Sequence, residues 1–415
     1  MNQMMKNLMS TLVAILAIVL MAAPASALDK VVMKDGSIVE GEIKREINGA
    51  IWITVSIGGI ETERFLAPGT YSTIERDSAE PVSSAPIAKA DENRKASPKR
   101  DGVERVAVLT LEEMVGMYMS AKPLHDAIPL LEEDEVDTVV LKINSGGGYL
   151  LEIQRLSDVI HNEYKPRFRV VAWIESAISA AAMSAHCVEE IYFMPQGNYG
   201  ACTGYSGPLV AVKGYELEKV LYMMEKISDR GGYDIDIMRA MQINDEGLSA
   251  SFDQNGDVQW YRGDDAGDDI VSEEGKILTF NSQTASKYKF SKGTCANIEE
   301  LAEAMKLNEY EFVGKTVQGV PYPVCAAEEM QREWRESMKI AETRFNEYFA
   351  KYGMSVQNAQ SSQDRQTRAA FVNKARRELG IIRNVVRKHP IFEEINGLTD
   401  EWFRDQEEML RDLMR

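Results

Sequence analysis

The runs DTVVLKI (137–143) and RFRVVAWI (167–174) each carry consecutive apolar residues, Val139-Val140-Leu141 and Val170 to Ile174, with no polar alternation, and the amphipathic stretch YLLEIQRLSDVIHNEY (149–164) stands between them. A strand with one face in water alternates polar and apolar residues; a strand covered on both faces does not. Two such strands joined through a helix predict a parallel sheet with layers on both faces, because parallel neighbours need a long crossover and the helix supplies it. The pattern holds from Val103 to about Val313. VERVAVLTL reads as a strand, the segment from Pro123 to Leu131 as a helix, SAAAMSAHCV as a helix and EIYFMP as a strand.

The flanks read differently. With 415 residues the chain has room for two or three domains. Lys6, the apolar run from Leu8 to Ala23 and the small-residue site Ala25-Ser26-Ala27 predict a secretory signal peptide over 1–27, with an uncleaved anchor as the competing reading. The chain is then exported, to a periplasm or to the medium. Residues 28–76 alternate in the strand period around turns at Asp35-Gly36 and Gly58-Gly59, which predicts a small SH3-like or Sm-like β-barrel. Residues 77–102 have the Pro, Ser, Ala and charge content of a linker, followed by an α/β domain over 103–312. Over 313–415 the spacing is helical, and Met330, Trp334, Met338, Ala341 and Phe345 form a stripe suited to packing or oligomer contact.

Composition narrows the partners. A balance of 47 basic and 65 acidic residues, a net charge of -18, argues against nucleic acid and anionic membrane surfaces. Cys187, Cys202, Cys295 and Cys325 have no metal-ligand spacing, and the expectation is packing, with no metal and no cofactor. Asp253, Asn255 and Asp257 imitate the start of a calcium loop. Val258 stands where that loop needs glycine, so Asn255-Gly256 reads as a hairpin turn.

Chemistry in an open parallel sheet collects at the carboxyl ends of the strands. One strand ends in Asn144-Ser145-Gly146-Gly147-Gly148 and the next in Glu175-Ser176-Ala177-Ile178-Ser179. Glycines leading into a helix present N–H groups to a phosphate or an oxyanion. Tyr149-Leu150 replaces the Lys-Ser/Thr of a phosphate loop, and Leu151 replaces the last glycine of a dinucleotide loop, which leaves the oxyanion. Ser179 is flanked by Ala177, Ala180, Ala181 and Ala182, small enough for a substrate backbone to reach the hydroxyl. The bland alternatives are that Ser176 or Ser179 caps the helix and that Ser184 faces a neighbour.

The runs INSGGG, VVAWIESAISAAA and EIYFMPQGNYGA, with EEGKILTFNSQTASKYKFSKGTCANIEELAEAMKL at 273–307, resemble the ClpP/crotonase fold, most closely the NfeD-type and signal-peptide-peptidase-type serine proteases. That resemblance implies repeated ββα units and an exported serine peptidase with a Ser/Lys dyad that cleaves peptides or membrane-protein fragments bound in extended form. It puts Ser179 on the nucleophile, the N–H groups of Gly148 and Ala180 on the oxyanion hole, and Gly146 and Gly147 against the substrate. The base falls on Lys219, with Lys213 as second choice, since none of His125, His161, His186 and His389 stands where the Clp-type pattern has its histidine. It also implies a homo-oligomer, a peptide or protein substrate and peripheral association with membrane proteins. Two positions depart from the pattern: Gly146 replaces a proline, and Ala181 replaces a glycine. Two further readings follow from the same resemblance, a non-catalytic binding or assembly protein and a crotonase-type acyl-thioester hydrolase; export counts against the latter.

Overall fold

The computed structural model describes residues 29–34, 38–47, 50–57, 60–66, 71–75, 100–206, 210–211 and 213–415; the expected signal peptide and residues 77–99 of the expected linker lie outside them. The chain divides into two compact units, Met1–Lys95 and Ala96–Arg415. Strands β1 (Asp29–Met33), β2 (Ile38–Ile47), β3 (Ala50–Ile57), β4 (Ile60–Leu66) and β5 (Tyr71–Glu75) of the first unit form an antiparallel sheet in the order β4-β3-β2-β1-β5. Strand β2 pairs with β1 over Ile38–Gly41 and with β3 from Glu42 on, with an irregularity between Ile43 and Arg45 just after the partner changes. A bulge bends a strand, which lets one long strand serve two neighbours. Val31, Val39, Ile51, Ile53 and Leu66 fill the interior. Among the described residues no β4–β5 pairing closes this five-stranded sheet.

The second unit is built on an eight-stranded sheet. Strands β6 (Glu104–Glu112), β7 (Thr138–Ser145) and β8 (Arg169–Ile178) run parallel, with Leu109 beside Leu141 and Leu141 beside Ala172. Helices α1 (Ala121–Asp126) and α2 (Ile128–Glu133) make the first crossover, and α3 (Leu150–Val159), prolonged by a π turn over Ile160–Tyr164, makes the second. After β8 come α4 (Ala180–Ala185), β9 (Glu190–Phe193) and β10 (Asn198–Gly200); β9 pairs with the start of β8 and β10 with its end, both parallel. The chain continues through β11 (Tyr205–Ser206), β12 (Val210–Ala211), α5 (Tyr215–Gly231), α6 (Ile235–Gln242) and the sheet of β13 (Leu248–Phe252), β14 (Val258–Arg262) and β15 (Asp269–Ser272). Asp253 accepts from the N–H groups of Asn255 and Asp257 in the β13–β14 turn, so that segment is a hairpin and its carboxylate is engaged by the backbone. Strand β16 (Thr279–Asn281) pairs with β10, α7 (Ser282–Lys287) follows, β17 (Gly293–Thr294) pairs with β9, and after α8 (Ile298–Ala304) β18 (Tyr310–Phe312) pairs with β6.

The lack of polar alternation has a direct cause in this layering. Leu109, Leu111, Leu141, Ile143, Ala172 and Ile174 point into the core under α1 to α6. Val106, Val108, Val140, Val171 and Trp173 point the other way, into a core closed by Ile298, Leu301 and Met305 around α8. Trp173 is buried there with its indole N–H on the Cys295 carbonyl (3.1 Å), so the large ring buries no orphaned donor. All four cysteines are buried and unbridged, in keeping with packing roles.

Beyond Phe312 the chain turns helical: α9 (Ala326–Ser361), α10 (Arg365–Lys388), α11 (Ile391–Asn396) and α12 (Asp400–Asp412). The Asp364 carboxylate caps α10 on the Thr367 N–H (2.7 Å). The stripe on α9 packs inside the chain, where Met338, Ala341, Phe345 and Tyr352 meet Val372, Leu379, Ile382 and Val386 of α10. Among the described residues no helix is long and apolar enough to cross a membrane.

Helix α9 also closes a sheet edge. Strand β18 covers β6 at Glu104, Arg105 and Val106. At Thr110 the N–H donates to Glu328 Oε2 (2.7 Å) and the carbonyl accepts from Arg335 Nη1 (2.9 Å), so two α9 side chains occupy the hydrogen-bonding positions of a missing strand. Thr110 Oγ1 joins the same network, with Glu328 Oε1 and Arg335 Nη2 each at 2.7 Å. A bare strand edge invites pairing with another chain, and a charged pair on a helix removes that opening.

Candidate active site

Strand β7 ends at Ser145 and the glycine turn carries the chain into α3, whose N-cap position, Tyr149, makes no side-chain cap. Strand β8 ends at Ile178, with Ser179 at the N-cap position of α4. Just before the site the β7–β8 register slips at Ile143/Asn144, leaving Glu175 unopposed; its carboxylate turns to Lys142 and to Asn144 Nδ2 (3.1 Å). Such a slip re-aims the strand end.

Ser179 has φ 56° and ψ −126°, a conformation that L residues avoid. It makes no side-chain cap, its N–H donates to the Gly200 carbonyl (2.8 Å) and its carbonyl accepts from Met183 N–H (3.0 Å). The pairing of β10 with β8 therefore holds the residue in this turn. Its serine neighbours behave as structural groups: Ser176 Oγ donates to Asn198 Oδ1 (2.9 Å), and Ser184 Oγ donates back to the Ala180 carbonyl (2.8 Å). Helix α4 is buried along its whole length, and that explains its small residues; Ala181 is fully covered.

The glycines have separate reasons. A Cβ on Gly147, at φ +99°, would fall 2.6 Å from Ser179 Cβ and 3.1 Å from its Oγ. A Cβ on Gly148 would fall 2.2 Å from the Val115 carbonyl oxygen. Gly146 has open space around its Cβ position and is exposed. The glycine turn is thus wedged between the serine on one side and the chain's own 113–119 loop on the other, with open space at Gly146. Among the described residues neither Gly148 N–H nor Ala180 N–H has an acceptor within hydrogen-bond reach. Gly148 is exposed. What the arrangement offers is a hydroxyl carried on a strained backbone against a glycine turn, with one N–H from each of two adjoining turns left over.

The two candidate bases stand on and just before α5. Lys219, in the second turn of α5, is exposed, with its Nζ 3.0 Å from Glu216 Oε1. Lys213 is exposed just before α5. Helix α5 packs on α4 and ends in close contact with it, since a Cβ on Gly231 would lie 2.1 Å from the His186 carbonyl oxygen. His186 itself is fully buried, stacked on Tyr233 (4.6 Å between ring centres) and hydrogen-bonded through Nδ1 to Tyr199 Oη (3.1 Å). Burial lowers its pKa to about 3, so the ring stays neutral in the core. Cys202 Sγ donates weakly to the Ser179 carbonyl (3.7 Å), and burial pushes its pKa far up, so it is a thiol there.

Sequence reasoning passed over the 113–119 loop. Val115 N–H donates to the Gly147 carbonyl and Tyr149 N–H donates to the Val115 carbonyl (3.0 Å each), so the loop brackets Gly148. The signal available was Gly116 inside an otherwise apolar run, which takes φ +92° and would crowd Tyr149 if it carried a Cβ.

No protein-family model matches the chain, and no curated protein does. Similar solved structures overlap 52% of it. They include a serine-to-alanine variant of the 1510-N membrane-bound stomatin-specific protease (14% identity, 99% of that chain, TM-score 0.38). A lysine-to-alanine variant of that protease with a substrate peptide is similar at 15% identity, 95% of that chain and a TM-score of 0.39. The 1510-N membrane protease specific for a stomatin homolog from Pyrococcus horikoshii is similar at 13% identity, 94% of that chain and a TM-score of 0.35.

Proposed function

We propose that the chain is an exported serine peptidase of the ClpP/crotonase type, close to the NfeD-type and signal-peptide-peptidase-type enzymes, acting on peptides or membrane-protein fragments held in extended form. The observation that carries this is the backbone of Ser179. A non-glycine residue kept at φ 56° and ψ −126° at a strand-to-helix turn, uncapped and facing a glycine turn, is strain with no structural return at that position. In this reading Ser179 Oγ attacks the carbonyl and the N–H groups of Gly148 and Ala180 receive the oxyanion. Gly146 and Gly147 leave room for the substrate backbone. The base is Lys219, or Lys213 in second place. In this role it takes the proton of the Ser179 hydroxyl as the oxygen attacks. Export to a periplasm or the medium, peripheral contact with membrane proteins, an SH3-like or Sm-like first unit and a homo-oligomeric assembly belong to the same reading.

The test is covalent labelling of the purified protein with a small fluorophosphonate, mapped by peptide mass. The expected adduct lies on Ser179, is absent in Ser179→Ala and falls at least about a hundredfold in rate in Lys219→Ala or Lys213→Ala. Labelling of the Ser179→Ala protein at the parent rate would sink the assignment. A second reading has its own support: the Lys219 ammonium is held by Glu216 at the surface, which is the state of a non-catalytic binding or assembly protein. No adduct in folded protein under conditions that label a known serine hydrolase selects it.

A further inference from the structure

We propose that helix α9 sets the shape of the glycine turn through the 113–120 loop, which makes Trp334, Lys339 and Glu342 positioning residues for the site; the functional half of this rests on the peptidase reading above. Two chains of contact lead from the helix to Gly148. In the first, Lys339 Nζ pairs with Glu113 Oε1 (3.0 Å) and the Glu113 carbonyl accepts from Ser145 Oγ. That oxygen in turn accepts from Gly147 N–H (3.1 Å). In the second, Glu342 takes the Tyr118 hydroxyl and Trp334 Nε1 donates to the Met117 carbonyl (3.1 Å). Met117 and Tyr118 are buried in the same apolar cluster as the C-terminal helices. The loop then folds back on itself, with Gly116 N–H on the Met119 carbonyl (2.8 Å), and Val115 brackets Gly148 through its two backbone bonds.

The loop is also tied at its two ends, by Glu113 N–H on the Asn144 carbonyl (3.1 Å) and by Ser120 Oγ on Glu152 Oε1 (2.8 Å), and the α9 contacts grip the span between them. Val115 is fully buried and its carbonyl occupies the place a Gly148 Cβ would take, so a displaced loop leaves the Gly148 N–H free to rotate. Burial and the Glu342 carboxylate both push the Tyr118 pKa up, so the hydroxyl keeps its proton and remains a donor to Glu342 across the working range of pH. The helix that supplies the grip lies some 180 residues beyond the glycines in the chain, outside the strand-and-glycine motifs themselves. An oxyanion donor that drifts by a fraction of an ångström loses most of its effect, so control of this loop is control of the rate.

The experiment compares the parent protein with the shape-preserving double variant Lys339→Met/Glu342→Gln, with Trp334→Phe, and with Lys351→Met. The last breaks an exposed ion pair to Glu347 on the same helix but outside both contact chains. Amide hydrogen exchange is read at Val115 and Tyr149, with Leu141 and Ala172 in the central strands as internal references. Exchange at Val115 and Tyr149 is expected to rise about tenfold in the double variant and in Trp334→Phe, with the references and Lys351→Met unchanged. Fluorophosphonate labelling at Ser179 should slow by about tenfold in its limiting rate, with the half-saturating probe concentration unaltered. Parent-like exchange at both amides in the double variant would overturn the proposal, as would an equal rise in Lys351→Met. A parent protein that never labels removes the peptidase reading and leaves the exchange result to decide the brace.

Discussion

At the scale of single residues, strain and close approach divide the work. Ser179 keeps a conformation that glycine adopts freely and serine does not, at a cost of about 1–3 kcal/mol. Replacing it by glycine removes that cost but adds about 0.5–1 kcal/mol of unfolded-chain entropy. Ser179→Gly is therefore expected to be more stable than the parent by roughly 1 kcal/mol while losing all fluorophosphonate reactivity, and Ser179→Ala, which keeps the Cβ, should match the parent in stability. Denaturant unfolding of the three proteins checks this; a glycine variant less stable than the alanine variant would mean the turn is relaxed. The sequence made Ser179 and the glycines stand out, since three alanines follow the serine and the three glycines stand together after Ser145. It could not divide the glycines by purpose, because Gly147 answers to Ser179 and Gly148 to Val115, two contacts made across the fold.

Elements explain why an edge strand can sit in this sheet without a neighbour along its whole length. Side chains of Glu328 and Arg335 complete Thr110 where β18 stops, and both are buried. Glu328 also holds Arg332 (2.7 Å), and loss of its charge leaves the buried Arg335 facing Glu112 at 3.7 Å, a change that costs far more than an exposed pair would. Glu328→Gln is expected to destabilise the second unit by about 3 kcal/mol, and the double variant Glu328→Gln/Arg335→Met by less than the sum of the two single changes. A double-mutant cycle by thermal or chemical unfolding measures the coupling, and strict additivity would show that the two side chains act separately. The amphipathic period of α9 was legible from Met338, Ala341 and Phe345. What covers it, α10 rather than a second copy, was not, because a stripe has the same spacing whichever partner it meets.

For the whole molecule, the C-terminal helices are part of the α/β unit: α9 packs on β6, α1 and α2, and Arg155 of α3 forms a two-pronged pair with Glu394 of α11 (3.0 and 3.2 Å). The helical region expected over 313–415 falls in the same compact unit as the α/β strands. The assembly proposed with the peptidase reading predicts sedimentation at a multiple of one chain's mass, with the Gly146 opening facing an enclosed space. Sedimentation at one chain's mass over the micromolar range would remove the enclosed chamber and leave an open cleft.

What the sequence determined by itself is the parallel, doubly covered sheet and the pair of turns at its carboxyl edge. Both follow from local chemistry: DTVVLKI and RFRVVAWI lack polar alternation, and the runs after them contain almost nothing but Gly, Ala and Ser. Tertiary structure alone decided the backbone state of Ser179, which depends on β10 pairing beside it, and the bracketing of Gly148 by Val115. It also decided the grip of Trp334, Lys339 and Glu342 on the intervening loop. Those contacts join residues up to 224 positions apart in the Tyr118–Glu342 pair and slightly more in Lys339–Glu113, and no periodicity or spacing in a sequence carries a distance of that kind.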